Sequence, residues 1–231
     1  MSEFDAEGFY DNEWDECGDL IWNEFDWERY LREQDDLVHR YLAHYETLHD
    51  HPGRIDEVAH LLGWDAGAGT RDDGESDEAG GSESAEPAAG ESGPPLEPYT
   101  LHKNPVYVAT KALYLSLRRG WERIAGDGAK VAQPLALSVL GSLHRGEEQA
   151  TLGVQALDLG DYAMAVSLFK RALEELNRTL ALARDEDAAD SRAFAAWRDD
   201  ALPRLFDLRE IWLRVIAECR DELARRVDDE G

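Results

Sequence analysis

Residues 65–98 read DAGAGTRDDGESDEAGGSESAEPAAGESGPPLEP, and Leu96 is the only large aliphatic side chain among them. A stretch this poor in apolar groups buries too little surface to offset the entropy lost on ordering. It is expected to be a disordered acidic tether with an r.m.s. reach of ~30–35 Å, extended further by self-repulsion. Everything that folds must then lie on either side of it. The expected divisions are a flexible acidic leader with aromatics over 1–25, a helical hairpin over 26–64 and a helical bundle over 99–231.

No stretch alternates at period two for long enough to make a strand, so the expected class is all-α. Before the tether, Trp27, Tyr30, Leu31, Leu37, Val38, Tyr41, Leu42, Tyr45 and Leu48 recur at three and four, which predicts a helix over 26–48. A short helix follows His51-Pro52, carrying Ile55, Val58, Ala59, Leu61 and Leu62, with Gly63 as its stop. After the tether, a helix over 103–125 opens behind Thr100 or Asn104-Pro105. Its stripe is Val106, Leu113, Leu117, Trp121 and Ile124. Pro134 starts the next, over 132–158. Leu135, Val139, Leu143 and Leu152 face the core there, while Gly141, Gly146 and Gly153 thin one side for close helix packing. Near the end, Phe194 and Trp197 mark a short helix, and Pro203 marks a fresh start or a kink. The last helix, to about 227, buries Leu205, Leu208, Trp212, Val215 or Ile216, Cys219 and Leu223, and leaves Arg204, Arg209, Arg214, Arg220, Arg225 and Arg226 outside.

The centre of the chain is a helix, a one-step turn and a second helix. Gly160 can take φ > 0 just past a helix end, and Asp161 can cap the helix that follows. Tyr162, Ala165, Val166, Phe169, Ala172, Leu173, Leu176 and Leu180 then share one face. Residues 146–179 resemble one tetratricopeptide repeat, a 34-residue helix–turn–helix unit. Leu152, Gly153, Gly160, Asp161, Tyr162, Ala165, Phe169, Ala172 and Leu173 stand in that family's spacing. Gln149 replaces its usual large aromatic and Asn177 its usual proline. The resemblance spans about one seventh of the chain. It implies a hairpin that buries its apolar face only against neighbours and offers grooves to peptides or helices.

Charge narrows the partners. The net charge is −26, which repels nucleic acid and anionic membrane as direct partners. Residues 1–100 hold 28 acidic and 5 basic residues, whereas 101–231 hold 22 and 19, so the acid is concentrated in one arm. Cys17 and Cys219 suggest no disulfide framework and fit a reducing cytoplasm. No run of 18 apolar residues predicts a span, and the acidic start is unlike a signal peptide.

Two candidate partner-binding surfaces emerge. The first is the leader, where Trp14, Trp22 and Trp27 sit among eleven acidic residues and no Lys or Arg over 1–28. Acid keeps such aromatics soluble while leaving them available to a protein partner, one with a basic surface being the natural match. The second is the basic helix 103–125, where Lys111, Arg118 and Arg119 could receive the acidic leader, receive another acidic partner, or pair with acids inside the molecule. No nucleophile elbow, phosphate loop, Cys-x-x-Cys or His-Glu-x-x-His motif is present, so no catalytic, cofactor or metal residue is assigned.

The leading expectation is a non-enzymatic interaction or adaptor module with an acidic arm. One alternative is a ferritin-like metal-binding or redox bundle, for which Glu57 and His60 supply a single Glu-x-x-His. Another is an acidic nucleic-acid mimic that occupies a basic site on another protein. His144, Glu147 and Glu148 are expected on a solvated face.

Overall fold

The computed structural model describes residues 22–64, 98–184 and 191–229. Trp14 and residues 65–97 of the tether lie outside the described residues. The described residues form α1 (Glu24–Thr47), α2 (Arg54–Leu61), a 3₁₀ turn (Leu101–Lys103), α3 (Pro105–Ala125), α4 (Gln133–Asp158), α5 (Tyr162–Leu182) and α6 (Arg192–Asp229), with no strand among them. The class is all-α.

Local chemistry fixes the helix ends. Asn23 accepts from the N–H groups of Phe25 and Asp26, and Asp26 returns a bond to the Asn23 N–H, a capping box. Asn104 caps α3 with Pro105 in its first turn. Asp161 accepts from the Met164 N–H at 2.9 Å to open α5. Gly63 and Gly160 both adopt φ +74°, the left-handed geometry that lets the chain turn just past α2 and α4.

Helices α3 to α6 pack as a closed antiparallel ring, each touching the one before and the one after, with α6 returning to α3. Ser142 and Thr179 pair their hydroxyls at 2.9 Å inside the α4–α5 contact, satisfying two buried polar groups together. Trp121, Phe169, Phe194 and Trp212 fill the centre. Helix α1 lies along α3 in the same direction, since Asp35 meets His102 and Glu46 meets Ser116. Val38, Tyr41, Tyr45 and Val58 of the N-terminal hairpin belong to the same apolar core as the bundle.

Side-chain charges also join hairpin to bundle. Asp207 of α6 accepts from the Tyr45 hydroxyl and from Arg54 Nε, both at 2.5 Å. Arg204 grips Glu46 with two bonds of 2.7 and 2.8 Å, and Arg214 reaches Asp56. The expectation that Arg204 stays outside is corrected. It is buried, because it falls on the α6 stripe between Ala201 and Leu205 and finds Glu46 and Asp200 there.

Two further expectations change. Of the fresh start or kink expected at Pro203, the fresh start is corrected: α6 runs through it for 38 residues. The buried positions Phe194, Trp197, Ala201, Leu205, Leu208 and Trp212 keep steps of three and four straight past the proline. One helix therefore buries both halves of the stripe, which outweighs the lost backbone bond. Guanidinium groups sit on nearby carbonyls, Arg204 on Asp200 and Arg54 on Pro203. Leu152, expected inward, is exposed on α4.

The α4 glycines separate into two kinds. A methyl group on Gly146 would stand 2.4 Å from the Tyr114 hydroxyl oxygen, and one on Gly153 would stand 3.1 Å from the Phe169 ring. Both neighbours are buried aromatics with nowhere to go. A methyl on Gly141 meets only the mobile end of Arg145 at 3.2 Å. Gly141→Ala is therefore expected to stabilise by up to ~1 kcal/mol through helix propensity. Gly146→Ala and Gly153→Ala are expected to destabilise by ~1–3 kcal/mol despite the same propensity gain. Urea unfolding of the three variants checks this, and equal signs at all three positions would contradict it.

Candidate functional site

The core side of α3 (Leu113, Tyr114, Leu117 and Trp121) decides which of its residues face outward. Lys111 and Arg118 are seven apart, two helical turns, and so share a face. Tyr107 lies one turn earlier on that face. Its phenol pKa is raised, chiefly by burial; Lys111 opposes the rise, while Asp35 of α1 and Glu147 of α4 add to it. The face thus runs between α1 and α4.

Glu147 is 5 % exposed and holds both cations, Lys111 Nζ at 2.8 Å and Arg118 Nη1 at 3.2 Å. The expectation that Glu147 sits on a solvated face is corrected, whereas His144 and Glu148 are exposed. Glu147 is buried because it lies on the α4 stripe with Leu143, Ala150 and Val154. A buried carboxylate is retained only with close partners. Glu148 lines the same cavity as the two cations, and Arg118 Nε has no partner among the described residues. A cavity of 230 Å³ opens between Lys111, Arg118, His144, Thr151 and Leu152.

Arg119 takes the opposite flank. With Arg123, Ser116, Glu122 and Leu42 of α1 it lines a shallow cavity of 600 Å³. Arg123 Nε donates to the Arg119 carbonyl, and neither guanidinium has a carboxylate partner among the described residues. The three candidate cations are thus divided between two flanks of α3: Lys111 and Arg118 are held by Glu147 on the α4 side, whereas Arg119, with Arg123, forms an exposed basic ridge on the α1 side.

Trp22 packs at 5.2 Å from Trp27 and 5.1 Å from Tyr30 at the start of α1. The Tyr30 hydroxyl donates to the Pro98 carbonyl at 2.8 Å, closing this aromatic cluster over the chain that follows the tether. Phe25 and Trp27 stay exposed. The cluster and the basic ridge are separate. Trp27 and Leu42 lie fifteen residues apart on α1, ~22 Å along the axis.

A further cleft of 690 Å³ lies between the α4–α5 turn and the end of α6, with Asp158, Glu218, Glu222 and Cys219 on its walls. Asp158 already accepts from Tyr99 and Asn104. Arg226 lies over the nearby Tyr162 ring at 4.6 Å. Among the described residues no group of three or more His, Cys, Asp or Glu is placed to hold a metal ion, and Glu57 and His60 of α2 gain no converging ligands. No described helix is long and apolar enough to cross a membrane. The chain matches no protein-family model, no curated protein and no solved structure.

Proposed function

We propose that this chain is a non-enzymatic helical interaction module, an adaptor of the cytoplasm that meets protein partners through the basic ridge of α3. The tetratricopeptide-like hairpin of α4 and α5 forms part of its scaffold, and the acidic leader with Trp14 is its second arm. The observation that supports this reading is the pair Arg119 and Arg123. These are two guanidiniums without a carboxylate partner among the described residues, beside the apolar edge of Leu42, on a chain of net charge −26. On so acidic a molecule, an open positive ridge is a directional handle that steers an acidic or mixed-charge partner and fixes its orientation.

The test is affinity capture from native extract with the full chain. The double variant Arg119→Glu, Arg123→Glu and the control Arg220→Glu, at an exposed position of α6, are run beside it. The double variant is expected to lose its captured partner at least ~10-fold, with the control unchanged. A partner retained equally by all three proteins would remove the ridge from the binding surface.

A further inference from the structure

We infer that in the resting chain the α1–α3 groove is filled by the chain's own leader, residues 1–21; the inference rests on the ridge being a binding surface. The groove offers the two open guanidiniums of Arg119 and Arg123 beside Glu122 and Ser116, facing the half-buried Leu42 of α1. Its occupant must bring carboxylates and large apolar groups together. The leader holds eight acidic residues and no Lys or Arg, and interleaves them with Phe4, Phe9, Tyr10 and Trp14. The tether is the other acidic segment near at hand. It supplies carboxylates but no aromatic residue, with Leu96 its one large aliphatic.

Reach selects which part of the leader arrives. The leader joins the fold at Trp22, and Leu42 lies twenty residues further along α1, ~30 Å at 1.5 Å per residue. Trp14, eight residues before Trp22, spans at most ~28 Å when extended and falls short. Phe9 and Tyr10, twelve or thirteen residues away, span ~40 Å and reach the groove with slack. Glu7, Asp11 and Glu13 flank them in sequence, so the carboxylates arrive with the rings. Being tethered, the leader meets the groove at an effective concentration on the order of millimolar, ahead of most free partners. A partner for the ridge must then compete with Phe9, Tyr10 and their acids for the same groove.

The test uses the full chain carrying Arg119→Lys, treated with a water-soluble carbodiimide that joins a lysine amine to a carboxylate in contact, then digested and read by mass spectrometry. The Lys111–Glu147 pair at 2.8 Å is an internal standard for both folding and reaction. Links from position 119 to Glu7, Asp11 or Glu13 are expected. They should fall ~10-fold at ~1 M salt, where the screening length is only ~3 Å. They should fall likewise in a chain with Phe9→Ala and Tyr10→Ala. Links to residues 65–97 instead, or none beyond the neighbouring Glu122 while the standard forms, would overturn the inference. Leader links together with capture that ignores Arg119→Glu, Arg123→Glu would sink the partner reading and leave the docking intact. Capture that depends on those arginines without leader links would do the reverse.

Discussion

Trp212→Ala is expected to destabilise the fold by ~3–5 kcal/mol, the range for emptying a large aromatic site in a packed core. The indole has no exposed surface and ties three helices together. It stacks on Tyr114 of α3 at 6.1 Å, meets Phe169 of α5 at 6.4 Å, and donates its N–H to the buried Thr110 hydroxyl at 3.1 Å. Truncation removes all three contacts and leaves a void that Tyr114, pinned against Gly146, cannot close. For a chain of this size each kcal/mol moves Tm by ~2–4 °C, so a fall of roughly 6–20 °C is expected in calorimetry. Trp212→Phe keeps most of the apolar volume and loses only the indole donor, so a clearly smaller fall is expected. A Trp212→Ala protein that melts within ~2 °C of the parent would show that the ring is not the centre of the core.

Stability is also expected to drop steeply once pH passes 10. Tyr41, Tyr45 and Tyr114 are each 2 % exposed or less. All three phenols are held above their ordinary pKa. Burial is the first cause in each case. Asp207 adds to it at Tyr41, the hydrogen bond to Asp207 adds at Tyr45, and Glu147 and Glu175 add at Tyr114. In the unfolded chain the same groups titrate near 10. Above that pH the unfolded state sheds protons that the folded state keeps, so unfolding is favoured as pH rises. The stabilisation is complete below pH 10 and is lost as pH climbs towards the folded-state values. Each tyrosine contributes a slope of at most ~1.4 kcal/mol per pH unit, and three together roughly 4. A typical stability of about 5 kcal/mol is then exhausted little more than one unit above pH 10. Urea titrations at pH 8, 10 and 11, followed by circular dichroism, read this directly. Tyr114→Phe should remove about a third of the part of the slope that these three tyrosines contribute, and a stability flat across that range would contradict the argument.

The elements that the sequence makes legible are those signalled locally. Gly63 and Gly160 announce turns because only a residue free of Cβ strain takes their φ, and Asn104-Pro105 and Asp161 announce helix starts by their own capping chemistry. Pro203 misleads because a local breaker competes there with a long-range stripe. The uninterrupted spacing from Phe194 to Trp212 carries the better information, since burial of that whole stripe outweighs one missing N–H. The site is legible in half. Lys111, Arg118 and Arg119 stand out by their sign on a basic helix, but the carboxylate that holds the first two lies on another helix. Glu147 is found only by noticing that it continues the Leu143–Ala150–Val154 stripe, so that a carboxylate must enter the core with its counter-charges. Arg204 poses the same problem on α6, where a cation on the buried stripe depends on Glu46, 158 residues earlier.

The stitching of the hairpin to α6 has a consequence for synthesis. Tyr45 and Asp207 are 162 residues apart in the chain, as Arg54 and Asp207 are 153 apart and Asp56 and Arg214 are 158 apart. At ~5–20 residues per second a ribosome needs roughly 8–32 s to travel from the first residue of the Tyr45–Asp207 pair to the second. Once they emerge, α1 and α2 spend most of that time with Tyr45, Arg54 and Asp56 still waiting for their α6 partners. The hairpin that is made first is therefore the element completed last, and a nascent chain halted before α6 emerges would display its tyrosine face to whatever chaperone or neighbouring chain is near.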